Sequence, residues 1–169
     1  MNITAGKYKG RKILAPDEKI TRPTLSKVRM AVFNTLQALI DFENASFLDM
    51  FAGSGIMGLE ALSRGFKKVL AIEQNPKVLK ILNENYKLLN IRPNILRGDS
   101  LKIVPNEFFD VIYIDPPYYA GIYEKILSIL PKSNIVIIEH TVDIDFKGFE
   151  IIKQKKYGDK KVTYLKKRD

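Results

Sequence analysis

The sequence predicts an α/β fold in which a mostly parallel sheet is closed by a C-terminal antiparallel hairpin and preceded by an N-terminal extension. Two observations predict it. Strand-like segments alternate with helix-like segments from residue 46 to residue 140, and the last two segments are both strand-like. Such alternation is typical of a parallel sheet with helices on both faces. We expect one domain, with residues 1–40 as a basic extension and residues 41–169 as the α/β body.

The extension is predicted to contain a hairpin and a helix. Residues 2–5 and 9–14 indicate a short hairpin, with Gly6 and Gly10 at its turns. Residues 21–24, Thr-Arg-Pro-Thr, indicate a helix start, because the residue before a proline avoids the helical conformation and a Thr can cap. Apolar residues then recur every three or four positions and predict an amphipathic helix to about residue 40. They are Leu25, Val28, Val32, Leu36 and Leu39.

The α/β body follows in chain order. Parallel strands are expected at residues 46–51, 68–73, 95–97, 109–114 and 134–140. Helices are expected at residues 55–64, 76–89 and 119–130, with a weak helical turn near 100–104. Two closing strands, 149–156 and 160–166, flank Tyr157-Gly158-Asp159, which is a good hairpin turn.

Positive charge is concentrated at the two ends of the chain. Of a net charge of +9, residues 1–29 carry +6 and residues 153–169 carry +6, so that the centre is mildly acidic. This pattern favours a polyanionic partner held by the termini. The alternative is a solvated, Lys-rich surface without a specific partner.

Composition excludes several classes of protein. The chain has no cysteine, which excludes disulfides, thiolate catalysis and zinc-thiolate sites. No cluster of metal ligands is evident, so we expect no metal. No apolar run is long enough for a signal peptide or a membrane span, so we expect a cytoplasmic protein without a membrane partner. We also expect a monomer.

A glycine loop is predicted to bind an adenosine cofactor. Gly53, Gly55 and Gly58 have G-x-G-x-x-G spacing between a strand and a helix. The spacing alone fits an NAD site, an S-adenosylmethionine site or a tight turn. Asp49, just before the loop, favours S-adenosylmethionine, because a carboxylate there would repel a pyrophosphate but could accept a hydrogen bond from an amino-acid group.

Acids at the ends of the next two strands support an adenosine. Glu73 ends the second strand, where an acid can bind both ribose hydroxyls of either cofactor. Asp99 follows the third strand, where an acid can reach an adenine amino group. Each acid could instead cap the start of a helix or turn.

The segment Asp115-Pro116-Pro117-Tyr118 follows the strand at 109–114 and predicts methylation of a base amine. The two prolines stiffen the loop and leave its carbonyls as acceptors. The Asp115 carboxylate and the Pro116 carbonyl could take the two hydrogens of an exocyclic amine, which localises the nitrogen lone pair, and the carboxylate would stabilise positive charge developing on nitrogen. Tyr118 could stack on the base. The structural alternative is a strand end with a packed tyrosine. Nearby, Glu139-His140 could line the base pocket or cap a strand end.

These motifs resemble the bacterial 16S rRNA (guanine-N2)-methyltransferases of the RsmD type. The resemblance covers almost the whole chain. The glycine loop and Asp-Pro-Pro-Tyr are shared by many amino methyltransferases, whereas Gly10-Arg11-Lys12 and residues 21–24 point to this family in particular. The resemblance implies a Rossmann-like class I fold, S-adenosylmethionine as methyl donor and a guanine of the small ribosomal subunit as acceptor.

The resemblance also assigns site residues. It implies that the base is held by Asp115, Pro116, Pro117 and Tyr118. It implies that the cofactor is bound by Asp49, Phe51, Ala52, Gly53, Ser54, Gly55, Glu73, Gln74, Asn75, Asp99 and Ser100. It implies that the RNA is approached by Lys7, Lys9, Arg11, Lys12 and Arg22.

Three other functions remain open from the residues alone. An adenine-N6 methyltransferase acting on DNA or RNA uses the same local motif. An NAD-type oxidoreductase could use the glycine loop, although the chain has no evident acid/base partner for hydride transfer. A non-catalytic RNA-binding protein could keep a vestigial site.

Overall fold

The structure is a computed structural model that describes residues 1–19, 24–117 and 119–169. Its strands are β1 Ser46–Asp49, β2 Lys68–Glu73, β3 Ile95–Arg97, β4 Phe109–Ile114, β5 Ser133–His140, β6 Phe149–Tyr157 and β7 Lys160–Lys167. Its helices are α1 Ser26–Leu39, α2 Ile56–Ser63, α3 Pro76–Leu88 and α4 Ile122–Ser128. The predicted α/β fold with a basic N-terminal extension is confirmed.

The strands form one sheet in the order β3-β2-β1-β4-β5-β7-β6. The first five in that order are mutually parallel, and β7 then pairs antiparallel with both β5 and β6. The chain reverses its direction of winding between β1 and β4, which are neighbours. Ligands of such sheets bind beyond the carboxyl ends of the strands at this reversal.

Burial on both faces explains why β4 and β5 are almost continuously apolar. Side chains alternate along a strand, so Val111 and Tyr113 join the cluster under α1, α2 and α3, whereas Ile112 and Ile114 join the cluster under α4. The sheet therefore separates two cores. The ends of β1 and β4 are held between them.

The N-terminal hairpin is shorter than predicted. It consists of an antiparallel bridge between Asn2 and Lys12, supported by the hydrogen bond from Ile3 N to Arg11 O at 3.0 Å. The extension lies on α2, since Lys7 N donates to Ser63 O at 2.8 Å. Its position is thus fixed by backbone contacts.

The helix predicted after the hairpin is present, but its buried face differs from the predicted apolar face. It begins at Ser26 after Leu25, whose side chain makes no capping hydrogen bond, and both Leu25 and Leu39 are exposed. Arg29 occupies the buried face instead. Residues 21–23 of the predicted helix start lie outside the described residues.

A buried ion network joins the extension to α2. Glu60 is fully buried and accepts hydrogen bonds from Thr4 N at 3.0 and 3.1 Å and from the Thr4 hydroxyl. Arg29 Nε lies 3.4 Å from Glu60 Oε1, and Arg29 also donates to the Asn2 carbonyl at 2.7 Å. Arg64 lies 3.8 Å from the same carboxylate. Docking of the extension therefore adds Thr4 and Arg29 to the partners of Glu60, beside the nearby Arg64.

Other differences from the sequence expectations lie at element ends. The fourth helix starts only at Ile122, because Gly121 takes a left-handed conformation with φ 78°. The weak helical turn expected near 100–104 is present, since Lys102 N and Ile103 N both donate to Asp99 O, at 2.9 and 3.1 Å. Within residues 1–19, 24–117 and 119–169, none of the helices combines the length and apolarity that crossing a bilayer requires.

Candidate active site

A cavity of about 470 Å³ opens at the carboxyl ends of β1, β2, β4 and β5. Its volume lies in the range of small-molecule sites, roughly 300–1,000 Å³. It brings together both motifs found in the sequence. Among the predicted site residues, the cavity is lined by Asp49, Phe51, Ala52, Gly53, Ser54, Glu73, Gln74, Asn75, Ser100, Asp115, Pro116 and Pro117.

The glycine loop turns sharply between β1 and α2. Gly55 precedes α2 with φ 84°, and a Cβ added there would lie 2.3 Å from Leu82 Cδ1. Gly58 has a different role, since an added Cβ would lie 2.7 Å from Val69 Cγ1 on β2. The first position is required for the turn and the second for close packing of helix on sheet. Gly55 itself does not line the cavity.

Asp49 lines the cavity and carries a buried acceptor without a partner among the described residues. Its side chain is buried, and Oδ1 has no hydrogen-bond partner among the described residues. Burial raises the pKa of Asp49 to about 7, and the charges of Glu73 and Glu139 add to this effect. A hydrogen bond from the Phe51 backbone acts in the opposite direction. A buried carboxylate with a free oxygen is suited to a cationic or donor group of a ligand.

Glu73 anchors the glycine loop as well as lining the cavity. Its Oε2 accepts from Gly53 N at 2.9 Å, and its Oε1 accepts from Gln74 N at 3.2 Å and from Asn75 N at 3.1 Å. A carboxylate has about four acceptor sites, so these three bonds leave capacity for one further donor, such as a ribose hydroxyl.

The sequence left two roles open for Asp99, adenine binding and capping of the following turn, and the structure shows the capping hydrogen bond. Its Oδ1 accepts from Leu101 N at 2.9 Å, and the cavity is lined here by Gly98 and Ser100 rather than by Asp99. The Ser100 hydroxyl donates to the carbonyl of Met50. This hydrogen bond ties the segment after β3 to the end of β1.

Asp115, Pro116 and Pro117 form the wall of the cavity beyond β4. About 25% of the Asp115 side chain is exposed, Pro116 is buried and Pro117 is exposed. Burial and the neighbouring Glu139 raise the pKa of Asp115 well above its ordinary value, whereas Lys160 lowers it. Tyr118, the fourth residue of the motif, lies outside the described residues.

Two further charged residues complete this wall. Lys160 Nζ lies 2.7 Å from Glu139 Oε2 and 3.8 Å from Asp115 Oδ2. The sequence indicated Glu139 as a possible pocket residue, but nothing indicated Lys160. The antiparallel pairing of β5 with β7 brings the lysine to the site, and local motifs carry no signal of such a pairing.

His140 also lines the cavity, but its ring is committed to structural hydrogen bonds. Nδ1 lies 2.7 Å from the Val142 carbonyl, and Nε2 lies 2.7 Å from the Thr163 hydroxyl. Burial is the largest influence on this ring and lowers the pKa of His140. His140 therefore fits both alternatives, since it lines the cavity and its ring is hydrogen-bonded at the end of β5. Within the described part of the chain, no group of three acidic or histidine side chains could hold a metal ion.

The predicted RNA-contact residues lie outside the cavity on the extension. Lys7, Lys9, Arg11 and Lys12 are exposed, and Arg11 also donates to the Leu88 carbonyl at 2.6 Å. Arg22 lies outside the described residues. Pro16 and Thr24 line the cavity, so the extension reaches its rim.

The fold and the site together define an α/β methyltransferase. The chain belongs to the family described as "Conserved hypothetical protein 95", whose model matches residues 1–166. The family resemblance found in the sequence is thereby confirmed.

Relatives and solved structures agree with this assignment. The chain is 40% identical over 149 residues to "Ribosomal RNA small subunit methyltransferase D" of Buchnera aphidicola, covering 81% of this chain and 76% of that protein. It is 34% identical over 151 residues to the protein of the same name in Escherichia coli, covering 86% and 74%. A Haemophilus influenzae structure assigned as a methylase matches with a TM-score of 0.77 at 28% identity, covering 99% and 98%.

Proposed function

We propose that this protein transfers a methyl group from S-adenosylmethionine to the exocyclic N2 amine of a guanine in 16S rRNA. One observation carries the proposal. A single cavity holds a glycine loop with an unsatisfied buried acid, Asp49, and the stiff acceptor loop of Asp115 and Pro116. The named relatives, which are small-subunit rRNA methyltransferases, support the choice of acceptor.

The residues present fit the cofactor. S-adenosylmethionine carries an ammonium, a ribose diol and an adenine, and its sulfonium supplies an activated methyl group. The free Oδ1 of Asp49 is an acceptor for the ammonium. Glu73 is an acceptor for a ribose hydroxyl, while its bonds to the loop amides hold it in place. Gly98 and Ser100 line the remaining wall, where we assign the adenine.

The acceptor loop explains how a weakly nucleophilic amine could react. The Asp115 carboxylate and the Pro116 carbonyl each accept one amine hydrogen, which turns the nitrogen lone pair toward the methyl carbon. Bound S-adenosylmethionine would supply the methyl group, exchanging its carbon–sulfur bond for the new nitrogen–carbon bond and leaving as the neutral thioether. The nitrogen then carries positive charge and gives up one proton, which we assign to Asp115 and then to water. Pre-organisation of these acceptors is the main catalytic contribution.

The basic extension supports a nucleic-acid acceptor. Lys7, Lys9 and Lys12 are exposed on an element that is docked to α2 and reaches the cavity rim. Phosphate contacts of this kind position a nucleic acid without selecting a base. With such a substrate we expect the protein to act in the cytoplasm, on the small subunit or its rRNA.

The test is methyl transfer from labelled S-adenosylmethionine into small subunits that lack the mark, followed by nucleoside analysis. We expect N2-methylguanosine, with D115A slowed by about 100-fold or more because a pre-organised acceptor is lost. D143N, at a carboxylate that is 98% exposed, is the matched control and should retain the wild-type rate. N6-methyladenosine as the product would support the adenine alternative, and an unchanged rate for D115A would refute the mechanism.

A further inference from the structure

Lys160 lies between two carboxylates at the wall of the cavity. Its Nζ is 2.7 Å from Glu139 Oε2 and 3.8 Å from Asp115 Oδ2. The three residues come from separate elements: the loop after β4, the end of β5 and the start of β7. β7 begins directly after the hairpin turn, where Tyr157 pairs with Lys160. The contact is therefore set by sheet topology rather than by local sequence.

The surroundings of Asp115 are otherwise unfavourable to a carboxylate. Burial is the largest effect that raises the pKa of Asp115, and the charges of Glu139 and Asp49 raise it further. Glu139 is fully buried, and its Oε1 has no hydrogen-bond partner among the described residues. Lys160 is the group that lowers the pKa of Asp115. The charged groups that act on Asp115 are Glu139, Lys160 and Asp49. Glu139 also contributes to the raised pKa of each of Asp49, Tyr113, Tyr157 and Tyr164.

We propose that Lys160 is a positioning residue that favours the carboxylate form of Asp115 at the cavity wall, both by its own charge and by neutralising the charge of Glu139. This inference rests on the role of Asp115 in the proposed function. The shorter contact is with Glu139, so the lysine mainly removes the repulsion between the two acids. An ionised Asp115 is what the reaction needs, because a protonated carboxyl offers a weaker acceptor to the amine hydrogen.

The chain offers a matched control in the next residue. Lys161 carries the same charge on the same strand, but its side chain pairs with Asp143 Oδ1 at 3.0 Å. Asp143 is 98% exposed, so that pair lies in solvent and away from Asp115. Replacing Lys161 removes an equal charge without removing the contact to Glu139 and Asp115.

The first measurement needs no substrate. Side-chain carboxyl resonances of 13C-labelled protein are titrated in the wild type, K160M, K160R and K161M, with D115N used to assign Asp115. An opposite charge within about 4–6 Å lowers a carboxyl pKa by roughly 1–3 units, so K160M should raise the pKa of Asp115 by about that amount. K161M should titrate like the wild type, and K160R should be close to it.

Removal of Glu139 tests the second part of the proposal. In E139Q the repulsion is absent, so the pKa of Asp115 should fall below its wild-type value. In the double variant E139Q/K160M, much of the increase caused by K160M should disappear. If Lys160 had only a structural role, the pKa of Asp115 would not rise in K160M and fall in E139Q. K160R and E139Q keep the proposal testable if K160M fails to fold.

The second measurement is the pH dependence of kcat/KM for methyl transfer. Asp115 acts as a carboxylate, so the rate falls as the pH falls through its pKa, and K160M should move this limb to higher pH by about 1–3 units. At a pH above the shifted limb, K160M should regain most of the wild-type rate. K161M should keep the wild-type profile.

The outcomes separate the two proposals. If the wild type transfers no methyl group, the proposed function fails, and the carboxyl titration still decides whether Lys160 controls Asp115. If K160M leaves both the carboxyl titration and the pH profile unchanged, the inference about Lys160 is overturned while the proposed function stands.

Discussion

Removing the buried carboxylate of Glu60 should undock the N-terminal extension and destabilise the whole domain. Glu60 is fully buried and accepts hydrogen bonds from the backbone and hydroxyl of Thr4. Arg29 beside it is 1% exposed. In E60A this guanidinium would remain buried with its charge uncompensated.

The magnitude follows from that burial. Removing one partner of a buried ion pair costs about 3–5 kcal/mol, because the remaining charge is left without compensation. Arg29 keeps a hydrogen bond to the Thr24 carbonyl at 3.3 Å, so we expect the lower part of this range, about 3 kcal/mol. The double variant R29M/E60L removes both charges and should recover most of the loss.

Urea unfolding of E60A, R29M/E60L and the control E84A would check this magnitude, since Glu84 is exposed. Amide hydrogen exchange would report undocking through earlier loss of protection at Thr4 and Lys7, whose amides bond to Glu60 and Ser63. A loss below about 1 kcal/mol in E60A, or a double variant less stable than E60A, would refute the reasoning.

Three further predictions concern the cavity and the extension. Because burial raises the pKa of Asp49 to about 7 from an ordinary 3.8, its ionisation opposes folding: wild-type stability falls as the pH rises from about 4 to 7. D49N should then be more stable than the wild type above pH 7, by up to about 4 kcal/mol. The same variant should bind S-adenosylmethionine more weakly. Equal affinities of D49N and the wild type in calorimetry would contradict the assignment of Asp49 to the ammonium. G55A should lower the free energy of unfolding by about 1–3 kcal/mol more than G148A does. Both glycines have a left-handed φ, but only at Gly55 would an added Cβ meet Leu82. Equal losses of stability in thermal unfolding would contradict this prediction. K9A/K12A should reduce the slope of log K for RNA binding against log salt concentration by about one to two. The control K125A, at an exposed lysine on α4, should reduce it less. A slope unchanged in K9A/K12A would contradict a place for the extension in the RNA interface.

Several elements could be predicted from the sequence because burial leaves a clear pattern. The strands at 68–73, 95–97 and 109–114 have the predicted bounds, and the last is apolar throughout its buried part. The cavity brings together the glycine loop and the Asp-Pro-Pro segment as expected, because parallel strands present their carboxyl ends at the same edge.

What could not be predicted depends on contacts between distant segments. Arginine is rarely buried, and Arg29 is buried here because Glu60, which is distant in the sequence, compensates its charge. Lys160 reaches Asp115 because β7 inserts between β5 and β6, which no local motif encodes. Gly121 shortens the fourth helix through a left-handed conformation that the apolar periodicity does not reveal.

The most direct test of the central claim is mass spectrometry of 16S rRNA nucleosides from cells with and without this protein. We predict that its loss removes one N2-methylguanosine, which returns when the wild-type gene is restored but not when D115A is supplied. An unchanged N2-methylguanosine content, or the loss of a different modified base, would contradict the proposed function.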